Sequence, residues 1–223
     1  MIRSLIALAA AAFILAAAPA KDWRQTTGVA ATGGFTVGNP AAKVKLVEYL
    51  SYTCPHCGDF VKESKPVLHD QMVRNGQVQV ETRSAARDPY DLAAWILARC
   101  GGPQRFASLN AAIFAQQTAW MDKGQAYAQA NLPALKAMSQ LAQMKTLVKE
   151  TGLGAIAAGA GLAPAKVDAC FATNGEMTKV LTMTDAAFKK VPGTPGFEIN
   201  GEVAAGVASW DALEPKLRAA GAR

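Results

Sequence analysis

Two cysteines separated by two residues offer the clearest chemistry in this 223-residue sequence. Cys54-Pro55-His56-Cys57 places two thiols within reach of one disulfide, and His56 is the only titratable side chain between them. An imidazolium N–H or the imidazole dipole beside the Cys54 sulfur favours the thiolate over the disulfide. A dithiol that is stabilised in its reduced form makes the corresponding disulfide a better oxidant. The motif therefore predicts dithiol redox chemistry, with His56 favouring disulfide donation.

The elements around the motif predict which thiol reacts. The apolar run 46–50 predicts a buried strand leading into Cys54, and Pro55 suits the first helical position, where its missing N–H costs nothing. Free N–H groups and the positive end of the helix dipole then favour a thiolate at Cys54. Cys57 lies one turn further in and is better covered. Cys54 is predicted to be the nucleophile and Cys57 the resolving thiol.

Other uses of a C-x-x-C pair fit the sequence less well. Zinc needs further ligands, but Cys100 and Cys170 stand singly and His69 is the only other histidine, so no metal site is predicted. Covalent haem attachment needs a histidine directly after the second cysteine, where this chain has Gly58. An inert structural disulfide stays open, although so small a loop constrains the unfolded chain little. No cofactor is expected.

A second chemical feature is Gly193-Thr194-Pro195, directly before a predicted hairpin strand. Proline cannot donate to a sheet, and an X-Pro bond at a strand start is a common place for a cis peptide. A cis bond at Thr194-Pro195 would bring backbone groups of Thr194 beside the Cys54 sulfur, free to pair with an extended substrate chain. An ordinary trans turn proline is the alternative. Together with the upstream motif, the pair predicts a substrate-binding position.

The remaining pattern predicts an α/β fold. Strands over 35–37 and 78–82 join the buried strand, and the strand, helix, strand order around the motif implies a parallel pair with a right-handed crossover. Pro66 is expected to kink the intervening helix. Residues 88–190 carry no strand signal and predict four to six helices. A hairpin around Asn200-Gly201 and a final helix follow.

Together these features resemble the DsbA-like thiol:disulfide oxidoreductases of bacteria. The resemblance rests on 47–53 with CPHC, on the helical stretch, and on Gly193-Thr194-Pro195 before 197–201, and it covers most of residues 35–223. It implies a thioredoxin-like fold with an inserted all-helical domain. The corresponding divisions are an N-terminal arm over 21–34, a thioredoxin-like domain over 35–86 and 191–223, and the helical insertion over 87–190.

The resemblance also implies roles for single residues. The nucleophilic and resolving cysteines of the family correspond to Cys54 and Cys57, its thiolate-stabilising histidine to His56, and its cis-proline pair to Thr194-Pro195. Thr194 stands where some relatives have valine, and its hydroxyl near the sulfur is expected to tune the redox potential by a hydrogen bond.

Glu48 admits two interpretations. It matches a buried acidic position in the family, where a carboxylate beneath the dithiol assists proton transfer. From the sequence alone, a glutamate in a central strand is more often the partner of a nearby lysine, such as Lys43 or Lys45.

Cys100 and Cys170 both lie in the predicted insertion. With the C-x-x-C pair set aside, they are natural partners for a disulfide, and a bridge closing about seventy residues stabilises by roughly 4 kcal/mol in the chain-entropy model. A similar second bridge occurs in an α-proteobacterial branch of the family, which this chain resembles. Free buried thiols and a regulatory pair are the alternatives.

The N-terminus predicts the compartment. Arg3 precedes an apolar run over 5–18, and Ala18-Pro19-Ala20 gives an A-x-A pattern before the first charged pair, which is typical of a cleaved signal peptide over 1–20. An uncleaved N-terminal anchor is the alternative. The expected location is an oxidising periplasm, where disulfides persist.

The charge pattern bears on partners. The formal charge of +6 falls to +5 without residues 1–20, and the positive charges are scattered rather than clustered. Nucleic acid is therefore not an expected partner. The hydrophobic content of 51% is ample for a buried core.

The predicted function is a periplasmic oxidase, expected to be a monomer, that donates the Cys54-Cys57 disulfide to reduced exported polypeptides. The resemblance implies reoxidation by a membrane quinone reductase of the DsbB type. A disulfide isomerase or reductase of the same fold is a second hypothesis, which requires a dimer or an electron supply. A third is a non-catalytic periplasmic protein that holds extended peptides beside Thr194-Pro195 and keeps its cysteines for structure.

Overall fold

A mixed six-stranded sheet forms the centre of the computed structural model, which describes residues 21–223. The signal peptide predicted over 1–20 lies outside the described residues. The strands are β1 Thr27–Val29, β2 Phe35–Gly38, β3 Val44–Leu50, β4 Val78–Ser84, β5 Gly196–Ile199 and β6 Glu202–Val203. Their spatial order is β1-β2-β4-β3-β5-β6, and β3 and β4 are parallel whereas the other neighbours are antiparallel. The predicted parallel pair is confirmed.

The described residues also form nine α-helices, which are α1 Pro55–Ser64, α2 Pro89–Arg99, α3 Pro103–Ala115, α4 Gln117–Ala137, α5 Gln140–Glu150, α6 Leu153–Gly159, α7 Pro164–Cys170, α8 Gly175–Phe188 and α9 Trp210–Ala219. Directly after α1 the chain continues as a π-helix, Lys65–Val73. Pro66 lies at the start of this segment, and its missing N–H interrupts the α-helical hydrogen-bond ladder. The predicted kink therefore takes the form of a change in helix type.

Helices α2 to α8 follow one another between β4 and β5 without an intervening strand. The all-helical character expected of this region is confirmed, but seven helices exceed the four to six that the sequence predicted. The short α6 accounts for the difference, because its Ala- and Gly-rich residues carry too little apolar periodicity to mark a separate helix. Gly152 and Gly161, with φ of 85° and 86°, bound α6 in a conformation that favours glycine.

Strand β3 is buried on both faces, and this fixes the position of the redox motif at its end. Leu46 points to one face and belongs to the same apolar core as Phe60 of α1. Val47 points to the other face and packs in a cluster with Ala187 of α8. Successive side chains of a strand alternate between the two faces of the sheet. A shift of register by one residue would therefore move every side chain of β3 to the opposite face and disrupt the packing on both faces.

The segment 21–34, predicted as an N-terminal arm, contributes one strand to the sheet. It contains a 3₁₀ turn, Trp23–Gln25, followed by β1, which pairs with β2 in the register Thr27 to Val37. Arg24 ties the turn to the body of the protein through an ion pair of 2.7 Å with Asp70. The backbone makes most of these contacts, so the side-chain pattern gave no signal for them.

Cys100 and Cys170 form a disulfide that joins the end of α2 to the end of α7, with their Cα atoms 5.8 Å apart. The bridge spans a sequence separation of 70 residues within the insertion. It therefore joins two helices of the insertion that are distant in sequence.

Replacing both of these cysteines, as Cys100→Ser with Cys170→Ser, is expected to lower the free energy of unfolding by about 4 kcal/mol, because the unfolded chain loses a long cross-link. Urea unfolding of the double variant and the parent under non-reducing conditions measures the difference. With a reductant present in both samples, the parent and the double variant should have nearly equal stability. Equal unfolding midpoints for the parent and the variant without reductant would contradict a structural role for the bridge.

Candidate active site

Cys54 occupies the N-cap position of α1, and Pro55 follows at the first helical position. The carbonyl of Cys54 accepts the first hydrogen bonds of the helix from the N–H groups of Cys57 (3.1 Å) and Gly58 (3.3 Å). The predicted helix start is confirmed. Only 2% of Cys54 is exposed, and Cys57 is fully buried beneath it. The two cysteines are present as free thiols, so the described state is the reduced one.

The peptide bond Thr194-Pro195 is cis, and it lies directly before β5. In its protonated form the Cys54 thiol donates a hydrogen bond to the carbonyl oxygen of Thr194, with a sulfur-to-oxygen distance of 3.2 Å. The fold thus brings together two sequence positions 140 residues apart. Backbone groups next to the nucleophilic sulfur are what an extended polypeptide needs for pairing.

The pKa of Cys54 is lowered from 9.0 to about 5. A hydrogen bond from the Cys57 thiol is the largest cause, and partial burial of the sulfur opposes it. The Thr194 side chain, the backbone N–H of Cys57 and the positive charge of Arg87 lower the pKa further. At neutral pH the Cys54 sulfur is therefore a thiolate, the form that attacks and leaves in disulfide exchange.

The hydroxyl of Thr194 lies buried against the dithiol. Within the described chain its oxygen makes no well-formed hydrogen bond. The Thr194 side chain nevertheless lowers the pKa of both Cys54 and Cys57. The influence of Thr194 on the redox potential stays a prediction.

His56 lies exposed in the first turn of α1. The groups that most strongly lower the pKa of Cys54 are Cys57, Thr194 and Arg87, and the imidazole is not among them. The assigned role of His56 in stabilising the thiolate therefore stays a prediction. Within residues 21–223, no cluster of three or more histidine, cysteine or acidic side chains is arranged to hold a metal ion.

Glu48 is buried in the middle of β3, and the hypothesis that a lysine neutralises it is wrong. Its Oε2 accepts a long hydrogen bond of 3.5 Å from the Thr82 hydroxyl, and its Oε1 has no partner in the described chain. Lys45 instead bonds to Gln79 (2.9 Å), because residues three apart on a strand point to opposite faces. Burial raises the pKa of Glu48 to about 8.

Glu48 faces α1, the helix that carries the dithiol. It lies opposite Phe197 of β5, and the Phe197 ring contacts Phe60 of α1 with ring centroids 4.7 Å apart. The role of Glu48 in proton transfer to the redox site stays a prediction.

Gln117, the first residue of α4, holds the turn that precedes α1. Its Nε2 donates hydrogen bonds to the carbonyl oxygens of Tyr52 (2.8 Å) and Cys54 (2.9 Å). Gly58 makes this approach feasible, since a Cβ atom there would lie 2.5 Å from the Gln117 Oε1. The helical insertion thus contacts the backbone of the nucleophile directly.

Asp91, in the first turn of α2, is the second side chain from the insertion that reaches this turn. It is fully buried and accepts hydrogen bonds from the Tyr52 N–H (2.8 Å), the Ser51 hydroxyl (2.5 Å) and the Arg87 N–H (3.0 Å). Burial raises its pKa to about 7 despite these bonds.

Sequence reasoning missed both Gln117 and Asp91. The only local signal was the Asp88-Pro89 pair, which is typical of a helix start. Asp88 does cap α2, since its Oδ1 accepts a bond of 2.9 Å from the N–H of Asp91. Nothing in the local pattern indicates that Asp91 itself points to a turn 40 residues earlier.

Titration of the reduced protein, followed by thiolate absorbance near 240 nm, is expected to show one transition near pH 5 from Cys54. The Cys57→Ala variant should titrate closer to the ordinary thiol value of 9.0, because it lacks the strongest hydrogen-bond donor. His56→Ala serves as the comparison. A larger shift in His56→Ala than in Cys57→Ala would assign the low pKa to the imidazole instead.

Glu48→Gln is expected to change how stability depends on pH. Because the folded-state pKa of Glu48 is raised from 4.5 to about 8, its protonated form stabilises the native state below pH 4.5, and this contribution is lost as the pH rises through 8. As the pH rises from 4.5 to 8, the Glu48→Gln variant should therefore gain stability relative to the parent. The gain in unfolding free energy should be on the order of a few kcal/mol. Urea unfolding at a series of pH values measures it. Glu63→Gln, at an exposed glutamate of α1, is the control, and a Glu48→Gln curve parallel to the parent's would refute the assignment.

Comparison with known proteins agrees with this site. A family profile described as Thioredoxin matches residues 30–218. A solved structure named as a protein-disulfide isomerase of Novosphingobium aromaticivorans is 32% identical with a TM-score of 0.76, and the match covers 82% of this chain and 95% of that one. Wolbachia pipientis alpha-DsbA1 is 20% identical with a TM-score of 0.65, and the match covers 86% of this chain and 92% of that one, which supports the fold alone.

Curated relatives are longer than this chain. A protein of Rickettsia conorii, whose name proposes a protein-disulfide oxidoreductase, is 29% identical over 169 residues, which are 74% of this chain and 52% of the relative. The chain therefore spans about half the length of the curated relatives it matches. The thioredoxin-like fold with a helical insertion, the C-x-x-C pair at the start of α1 and these matches agree with one another. The chain belongs to the thioredoxin family.

Proposed function

We propose that this protein is a periplasmic oxidase that donates its Cys54-Cys57 disulfide to reduced exported polypeptides. The observation that carries the proposal is the Cys54 sulfur with a lowered pKa, placed between a helix N-terminus and the carbonyl of Thr194. The resolving thiol of Cys57 lies directly beneath it, buried from solvent.

The transfer proceeds in two exchange steps. A substrate thiolate attacks the Cys54 sulfur of the oxidised enzyme, so that a new S–S bond forms and Cys57 leaves as a thiolate with the electron pair of the broken bond. A second substrate thiol, as thiolate, attacks the substrate sulfur of this mixed disulfide and expels Cys54 as a thiolate. The substrate loses two electrons and two protons, and the enzyme retains the two electrons as its dithiol.

The low pKa of Cys54 favours this direction of transfer. The thiolate stabilises the reduced enzyme at pH 7 by on the order of 2 kcal/mol, which corresponds to tens of millivolts in a two-electron couple. Because the pKa is depressed in the folded protein, this stabilisation is complete above the ordinary thiol pKa of 9.0 and is lost as the pH falls through about 5. The enzyme should therefore be a stronger oxidant at pH 7 than at pH 4.

An unfolded polypeptide is the substrate that this arrangement suits. An extended chain can align beside the cis Thr194-Pro195 bond and use its main-chain groups for pairing, without a requirement for particular side chains. Such recognition fits a general donor of disulfides.

The periplasmic location rests on the predicted signal peptide and on the Cys100-Cys170 bridge, since disulfides persist in oxidising compartments. Among the helices of residues 21–223, none has the length and apolar character needed to span a bilayer. A quinone reductase of the DsbB type is the proposed partner for reoxidation, and a monomer is the proposed working form.

A disulfide isomerase is the competing function, because the 32% identical Novosphingobium relative is named as a protein-disulfide isomerase. An isomerase must rearrange wrong disulfides as well as introduce new ones. The two activities are separated by offering the protein either a reduced substrate or a scrambled, fully oxidised one.

The reduction potential of Cys54-Cys57, measured by equilibration with glutathione buffers and mass spectrometry of alkylated thiols, is expected near about −120 to −150 mV. The Cys57→Ala variant should also accumulate mixed disulfides with exported polypeptides in the periplasm, and Cys54→Ala with the same expression level should not. A potential near about −250 mV or lower would sink the oxidase assignment. Faster rearrangement of a scrambled substrate than oxidation of a reduced one would favour the isomerase.

A further inference from the structure

A backbone donor reaches the resolving sulfur from the end of the central strand. The N–H of Ser51 donates to the Cys57 sulfur at 3.5 Å. Strand pairing of β3 ends at Leu50 on the side of β4 and at Tyr49 on the side of β5, so the sheet does not use this N–H. It is therefore directed to sulfur rather than to another strand.

Negative charge develops on the Cys57 sulfur in the first exchange step. When a thiolate attacks Cys54, Cys57 leaves with the bonding electron pair and must carry a negative charge in a fully buried position. Burial and the adjacent Cys54 raise the pKa of the Cys57 thiol well above its ordinary value, and the Ser51 N–H and Thr194 are the groups that lower it. A leaving thiol with a lower pKa departs faster.

Asp91 holds the residue that carries this N–H. Its Oδ2 accepts the Ser51 hydroxyl (2.5 Å) and its Oδ1 accepts the Tyr52 N–H (2.8 Å), so it bonds to the side chain of Ser51 and to the amide that follows. These two bonds fix the orientation of Ser51 from the helical insertion. The Ser51 N–H cannot turn away from Cys57 without breaking them.

The helix dipole favours an acid in the first turn of α2, but an exposed side chain would serve that purpose equally well. Asp88 already caps α2 and binds the Thr53 hydroxyl at 2.5 Å. In the described part of the chain Asp91 forms no ion pair with a lysine or arginine side chain, so its burial is uncompensated by a partner charge. A buried carboxyl retained at such a cost points to a demand for its two acceptor oxygens at the active-site turn.

We propose that Asp91 is a positioning residue for disulfide exchange, which holds the Ser51 N–H on the Cys57 sulfur so that the leaving thiolate is stabilised as it forms. The inference rests on the exchange chemistry of the proposed function, but it holds for oxidation and isomerisation alike. It assigns the helical insertion a part in the chemistry of the resolving cysteine.

Asp91→Asn tests the proposal, because asparagine keeps the shape but places an NH₂ group where one carboxylate oxygen accepts two donors. We expect cleavage of the Cys54-Cys57 disulfide of the oxidised variant by dithiothreitol to slow by about fivefold or more. Loss of a hydrogen bond to a charged group predicts a change of this size. The alkylation rate of the Cys54 thiolate in the reduced variant should stay within about twofold of the parent, because alkylation does not use Cys57 as a leaving group. Stopped-flow fluorescence and iodoacetamide labelling measure the two rates.

Asp122→Asn, at an exposed aspartate of α4 in the insertion, is the control with the same chemical change, and it should leave both rates near those of the parent. Ser51→Ala keeps the N–H but removes one of the two tethers, and it should give a smaller slowing of cleavage than Asp91→Asn. Equal slowing of cleavage and alkylation, or cleavage as fast as in Asp122→Asn, would overturn the proposal. Because dithiothreitol is the probe, a failure of the protein to oxidise polypeptides would not affect this result.

Discussion

The carbonyl group of Cys54 is the point on which the active site depends. It accepts the N–H groups of Cys57 and Gly58, which begins α1 at the nucleophile, and it also accepts the side chain of Gln117 from the insertion. One oxygen atom thus fixes the start of the helix, the spacing of the two sulfurs and the distance between the two parts of the chain. The reactivity of Cys54 follows from this geometry, since the first turn of α1 brings the Cys57 thiol, the largest cause of the low pKa of Cys54, to the Cys54 sulfur.

The helical insertion is more than a cover for the dithiol. Gln117 holds the carbonyl side of the turn before α1, whereas Asp91 holds its N–H side through Ser51 and Tyr52. Beneath the turn, the ring of Tyr52 packs against Trp95 of α2, with centroids 4.9 Å apart. The turn is therefore held by polar contacts above and by aromatic packing below, and the rigidity needed for exchange comes from both parts of the fold.

Features that depend on neighbouring residues could be predicted from the sequence, whereas features that depend on contacts between distant residues could not. The start of α1 at Cys54 and the buried strand β3 follow from residues within a few positions, because helix caps and apolar runs are local patterns. The sheet position of 21–34 and the number of short helices could not be predicted, since backbone pairing and Ala-rich segments leave little periodicity. Asp91 was beyond reach for another reason: its partners are determined only when the insertion packs on the turn.

Glu48 shows where a local pattern misleads. Its neighbours in sequence include Lys45, but alternation along β3 directs that lysine to Gln79 and leaves the carboxyl buried without a cation. The family resemblance located the position correctly as buried, whereas the lysine pairing drawn from sequence proximity was wrong.

The contact between Gly58 and Gln117 has a consequence for how such sequences diverge. A side chain at position 58 would occupy the space that the Gln117 amide now fills, so the amide would have to rotate away. Its hydrogen bonds to the carbonyl oxygens of Tyr52 and Cys54 would be lost with it. In a relative, a larger residue directly after the second cysteine would therefore separate the insertion from the backbone of the nucleophile at this contact, although the two positions lie 59 residues apart in the chain.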